Sequence, residues 1–248
     1  MQPETTDIRV RNPRWMARVA APVTLATGAA TLAILTILRP GALPWGTFAL
    51  LIVLLAGATL TWTLGRRLAA AHELALVAAM AALATAGRVL FASLPNFKPV
   101  TIIILVSGAA LGPRAGFMAG ATTGLVSNLF FGQGPWTPWQ MLAWGLVGLA
   151  GGALGRHGRV PSRWTLALVG GALALAFDWF VSLWMFLAFT NHSLGALFAL
   201  YLQGAPFDVA HVAATVLGAL AFGPQAIRIL ARFRARTSPR LLPLEDTV

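Results

Sequence analysis

The sequence predicts an all-α integral membrane protein of eight transmembrane helices, a six-helix core preceded by an extra N-terminal hairpin. Three observations carry that prediction. First, 58% of the 248 residues are hydrophobic and only 10% are charged, with a mean hydropathy of +0.76. A water-soluble domain has no way to bury so much apolar surface, so lipid is the solvent for most of the chain. Second, apolar runs long enough for a hydrocarbon layer of ~30 Å recur along the sequence. Third, the arginines fall between those runs, on alternate sides of them.

The runs lie near 19–38, 46–65, 73–93, 115–131, 138–155, 164–189 and 206–223, with a shorter one at 99–112. Pro113 separates 99–112 from 115–131, because a proline inside one long helix would remove a backbone hydrogen bond. A tight turn there gives eight crossings. The polar, basic stretch before residue 19 shows no small-residue cleavage site after the run that follows, so that run reads as a retained anchor.

Charge sets the direction. With the N-terminus in the cytoplasm, Arg9, Arg11, Arg14, Arg18, Arg66, Arg67, Arg114, Arg156, Arg159, Arg163, Arg228, Arg232, Arg234, Arg236 and Arg240 all fall inside. Only Arg39, Arg88 and Lys98 fall outside. This asymmetry is the positive-inside pattern, and it puts both termini in the cytoplasm. It also explains the net charge of +11 without nucleic acid, since no single basic stripe forms.

The chain divides into a hairpin at 1–70, a six-helix membrane domain at 71–227 and a basic cytoplasmic tail at 228–248. The tail reads as an interfacial helix end followed by disorder. Gly116, Gly120 and Gly124, with Gly148 and Gly152 on the next helix, form small-residue grooves that let helices approach closely. Ala75, Ala79 and Ala82 make a similar face on the helix from 73, suited to internal packing or to a partner.

Ionisable groups inside spans are costly and are retained mostly for function or pairing. Arg88, Asn128, Asp178, Asp208 and His211 come from four helices and fall at a common depth, just beneath the outer surface. Each has a plainer reading. Arg88 could snorkel, the aspartates could pair with it, His211 could be a satisfied core histidine, and Asn128 could brace two helices. Their shared depth favours a pocket. The loops 94–99, 132–137 and 190–205 would cap it, and they present Asn96, Lys98, Gln133, Trp136, Trp139 and Gln140. An aromatic belt would account for the tryptophans, but the neighbouring glutamines and paired prolines suit a stiff lip better.

Enzyme signatures are missing. No GxSxG, HExxH, Walker A or GxGxxG motif occurs in a credible context. Cysteine is absent, and His72, His157, His192 and His211 lie on both sides of the membrane, so no metal site is expected.

The stretches RVLFASLPNFKPVTIIILVSGAALGPRAGF, SNLFFGQGPWTPWQMLAWGLVG and GAPFDVAHV resemble the substrate-binding S component of energy-coupling-factor (ECF) vitamin transporters over roughly residues 72–223. The resemblance implies a six-helix core in the bacterial cytoplasmic membrane, with both termini cytoplasmic and a vitamin site near the extracellular surface. It implies vitamin capture, then toppling of the S component, powered by a transmembrane coupling subunit and two ATPase subunits on other chains. No cofactor is implied beyond the transported vitamin. The positions it marks for ligand are Arg88, Asn96, Lys98, Asn128, Gln133, Trp136, Trp139, Gln140, Asp178, Asp208 and His211. Ala75, Ala79 and Ala82 would dock the coupling subunit. The hairpin 1–70 departs from the family pattern.

The Trp-lined, amide-rich mouth resembles the cobalamin-type branch most, while the same inventory would serve riboflavin. Two rivals stand beside the S component. A secondary carrier would need a polar path through the inner halves of the helices, which are nearly all Ala, Gly, Leu and Val. An intramembrane enzyme would need Asp208 and His211 as an acid–base pair.

Overall fold

A computed structural model describes residues 71–237. Among these residues the structure is all helical, with six α-helices and one 3₁₀ turn. They are α1 (Ala71–Leu90), α2 (Val100–Leu111), α3 (Pro113–Phe131), α4 (Thr137–Leu154), the 3₁₀ turn Arg156–Gly158, α5 (Arg163–Phe189) and α6 (Leu194–Thr237). The two helices expected within 1–70, and the end of the basic tail, lie outside the described residues.

Helix α2 organises the bundle. Its twelve residues are all buried, and it packs against each of the other five helices. Around it run α1, α3, α4, α5 and α6 in that order. The sequence VTIIILVSGAAL is apolar all round, which is what a helix enclosed on every side requires. At 1.5 Å per residue it is only ~18 Å long, short of the hydrocarbon thickness. Ile102, Ile104 and Leu105 are 0–1% exposed and meet Leu76, Met80, Trp144, Phe177 and Ala219 from the surrounding helices.

The turn expected at Pro113 is a single residue. Gly112 has φ 97°, a left-handed conformation that a Cβ would strain, and Pro113 then occupies the first helical position of α3. The glycine grooves mediate the closest helix pair, α3 with α4. A Cβ added at Gly116 or at Gly148 would collide with the backbone of the other.

Three described helices are long and apolar enough to cross a membrane: His72–Leu90, Arg163–Phe189 and Leu194–Arg236. This is fewer than the six crossings expected of 71–227. Besides the shortness of α2, α3 and α4 are diluted by Gly, Thr, Ser, Asn and Gln at their contacts. The last helix also differs from expectation. The run 206–223 predicted a helix preceded by a loop at 190–205, whereas α6 begins at Leu194 and continues for 44 residues through Pro206 and Pro224. A proline within a helix forfeits one backbone hydrogen bond, which packed membrane helices tolerate. The only non-helical residues between α5 and α6 are 190–193, and the boundary drawn at 228 falls inside α6.

Candidate functional site

At the end of the bundle where α1, α3 and α5 finish, two hydrogen-bonded networks face each other. The first is built around Arg88, in the last turn of α1. Its Nη1 donates to Ser127 Oγ at 2.5 Å and to Asn128 Oδ1 at 2.8 Å, both on α3. Its guanidinium lies over the rings of Phe131 (4.6 Å) and Trp144 (5.0 Å). Asn128 is 1% exposed, and its Nδ2 donates to Thr137 Oγ1 and to Gln140 Oε1 of α4, at 2.9 and 2.8 Å. Thr137 in turn donates to Gln133, whose Nε2 donates to the Leu125 carbonyl. Lys98, in the loop after α1, stands over the other flank of Phe131 at 4.8 Å. Partial burial, and then the nearby charge of Arg88, hold the Lys98 ammonium below the ordinary lysine pKa.

The second network joins α5 and α6 to the same loop. Asn96 (φ 53°) donates from Nδ2 to Asp178 Oδ1 at 3.2 Å and to the Phe207 carbonyl at 3.1 Å. Asp178 Oδ2 meets His211 Nδ1 at 2.8 Å, and His211 Nε2 meets Thr101 Oγ1 at 2.8 Å. Thr101 also accepts from the indole N–H of Trp144 at 3.2 Å. Because that indole can only donate, Thr101 is free to give its own proton to His211 Nε2. A neutral imidazole with its proton on Nδ1, donating to an ionised Asp178, then satisfies every member. Asp208, one helical turn before His211, accepts from Trp179 Nε1 through Oδ2 at 3.2 Å.

Between the networks lies a cavity of about 600 Å³. Arg88, Lys98 and Gln140 of the first network line it together with Asn96, Asp178, Asp208 and His211 of the second. Its apolar walls include Trp144, Phe177 and Phe207.

Seven of the eleven residues marked for ligand therefore reach one cavity. The other four sit behind it. Asn128 braces Arg88 and Gln140, and Gln133 fastens the α3–α4 turn. Trp136 packs on Trp184 with ring centroids 5.4 Å apart, and Trp139, 4% exposed, packs on Phe180 at 5.2 Å.

Thr101, Phe177 and Gln203 do not stand out in the sequence, and Trp144, expected from the sequence to serve packing, lines the cavity as well. Trp144 follows Gln140 by one turn and so shares its face, a signal that was available. Gln203 was hidden by reading 190–205 as loop; on α6 it precedes Phe207 by one turn.

Among the described residues, three helices long and apolar enough to cross a membrane, and a charged cavity at one end of the bundle, define the class: a multi-pass membrane protein. A family model described as ECF-type riboflavin transporter, S component, matches residues 69–228. The chain belongs to this family, and is a transport component rather than an enzyme. No curated protein and no solved structure matches it. The family assignment carries the S-component class and does not extend to the cobalamin-type branch.

Proposed function

We propose that this chain captures riboflavin, or a heterocycle of its size and polarity, in the cavity and hands it to an ECF coupling subunit driven by separate ATPases. The observation that carries the reading is the cavity's division into a cationic and an acidic wall. Among the described residues, Arg88 and Lys98 have no carboxylate partner; the one carboxylate in contact with a basic side chain is Asp178, with His211. Unpaired charges in a poorly hydrated site are costly, and a ligand offering complementary groups relieves that cost. The matching ligand presents carbonyl acceptors to Arg88 and Lys98, and hydroxyl or N–H donors to Asp208. A dioxo ring system bearing a polyhydroxylated chain has this pattern.

Size supports the same choice. A cavity of about 600 Å³ falls within the ~300–1,000 Å³ usual for a ligand of one compact ring system. A corrinoid is several times larger. The tryptophans that suggested one, Trp136 and Trp139, are spent on packing against α5.

The orientation in this reading has the cavity facing outward. Arg114, Arg156, Arg159, Arg163, Arg228 and Arg232 cluster at the opposite, cytoplasmic end. Ala75, Ala79 and Ala82 are exposed on α1, while Leu76, Val77 and Met80 on its other face enter the core. That leaves a smooth alanine surface for the coupling subunit.

The test is to purify the full chain, record the absorption spectrum of any retained ligand and identify the ligand by mass spectrometry. A flavin supports the proposal. A corrinoid would restore the cobalamin-type reading, and failure to bind any of a vitamin panel would remove the capture function.

A further inference from the structure

A second cleft, of about 280 Å³, opens at the other end of the bundle. It lies between the Gly112–Pro113 turn, the 3₁₀ turn Arg156–Gly158 and the end of α6. Three basic side chains line it from within four successive positions: Arg156, His157 and Arg159. They crowd together because the turn reverses tightly, with His157 (φ 59°) and Gly158 (φ 72°) both left-handed. Arg234 reaches in from α6 and donates to the Ala110 carbonyl at 3.4 Å.

The lining contains no carboxylate. Among the described residues, neither Arg156 nor Arg159 pairs with an acid; the one carboxylate contact with a basic side chain, Asp178 with His211, lies at the larger cavity. Arg114, Arg163 and Arg228 add positive charge at the same end. Clustered like charges raise the local potential and attract an anion. The remainder of the lining is small and apolar, including Ala109, Ala110, Ile227 and Ala231. At the start of α5, which follows the lining residue Val160 by a few positions, Trp164 and Leu168 are 68% and 77% exposed, and Ile229, between the lining residues Ile227 and Ala231 of α6, is 57% exposed, a surface suited to lipid.

We propose that this cleft binds a phosphate group, supplied by an anionic membrane lipid. The arginine lip holds the phosphate through charge-assisted hydrogen bonds. The apolar floor and the exposed Trp164–Leu168 surface receive the glycerol and the first acyl carbons. Basic pockets between membrane helices are suited to such headgroups on general electrostatic grounds. This inference does not depend on which vitamin fills the other cavity.

The experiment is native mass spectrometry of the full chain in detergent, titrated separately with phosphatidylglycerol, phosphatidylcholine and inorganic phosphate. We expect one phosphatidylglycerol retained per chain in preference to phosphatidylcholine. The double variant Arg156→Gln with Arg159→Gln should weaken retention roughly tenfold, while Arg236→Gln, which does not line the cleft, should change it little. Competition by inorganic phosphate supports phosphate as the recognised group. Retention of inorganic phosphate without preference for phosphatidylglycerol would keep the phosphate site and overturn the lipid as its source. Equal retention of the two lipids, with no phosphate bound, overturns the proposal. So does an equal loss in Arg236→Gln, which would mean diffuse surface charge. If the double variant fails to fold, the lipid preference of the unaltered chain still decides.

Discussion

The cationic and acidic sets of residues that line the larger cavity are built on the same plan from opposite charges. On the cationic wall, Arg88 is fixed by donations to Ser127 and Asn128 and by two aromatic rings, whereas Lys98 has a ring contact with Phe131 and, among the described residues, no side-chain hydrogen bond. On the acidic wall, Asp178 is fixed by Asn96 and His211, whereas Asp208 has one side-chain bond, from Trp179. Each wall thus holds one braced charge and one that is free to adjust. The braced charges set the geometry of the cavity, and the adjustable ones have hydrogen-bonding capacity for a ligand. Preorganisation of this kind lowers the entropy lost when the ligand binds.

Breaking a braced charge should have the largest effect. Arg88→Met removes the ligand's main cation and leaves buried Asn128 Oδ1 without its donor. We expect riboflavin affinity to fall at least ~100-fold and stability by roughly 1–3 kcal/mol, read by calorimetric titration and thermal unfolding. An unchanged affinity would take Arg88 out of the site. Asp208→Asn should behave differently. The Trp179 N–H can still donate to the new amide oxygen, so unfolding should hardly shift while affinity drops about tenfold. Equal damage to both quantities would make Asp208 a structural residue instead.

Lys98 sharpens the comparison through pH. Partial burial, and then the charge of Arg88, hold its pKa in the folded chain below that of an ordinary lysine. Riboflavin affinity should therefore decline as pH rises through that lowered value, when the ammonium loses its charge. The stability of the unliganded chain moves the other way in the same window. Between the folded and unfolded pKa values the unfolded state binds more protons, so stability rises with pH. Lys98→Met should flatten both profiles, and a persisting affinity decline would point to another titrating group.

The smallest effect is expected at Trp136. It packs on Trp184 outside the cavity lining, so Trp136→Phe should change affinity less than ~3-fold. A large loss of affinity would return this tryptophan to the binding lip.

The contrast between braced and adjustable residues also separates what the sequence revealed from what it concealed. Arg88, Asp178, Asp208 and His211 stood out because charge within an apolar run is conspicuous, and their common depth followed from helix periodicity. Their partners did not stand out. Ser127, Thr101 and Thr137 are ordinary residues in a membrane helix, and only tertiary packing sets them opposite Arg88, His211 and Asn128. The tryptophans of GQGPWTPWQ were conspicuous for the opposite reason. Their composition suggested a lip, yet the side toward which a helix turns its aromatic rings depends on its neighbours, here Phe180 and Trp184 of α5. The start of α6 was concealed by Pro206, which normally breaks a helix in water but not within a packed bundle. The shortness of α2 was legible from Pro99 and Pro113. Its place at the centre was not, because a short apolar run looks the same at the core as at the lipid face.

In the proposed function, one cavity lined by opposite charges captures a flavin-sized vitamin. Calorimetric titration of the purified full chain with riboflavin and with cobalamin, run side by side, tests it most directly. We expect saturable riboflavin binding at one per chain, weakened by Asp208→Asn, and no measurable heat from cobalamin. Stoichiometric cobalamin binding with no response to riboflavin would contradict it.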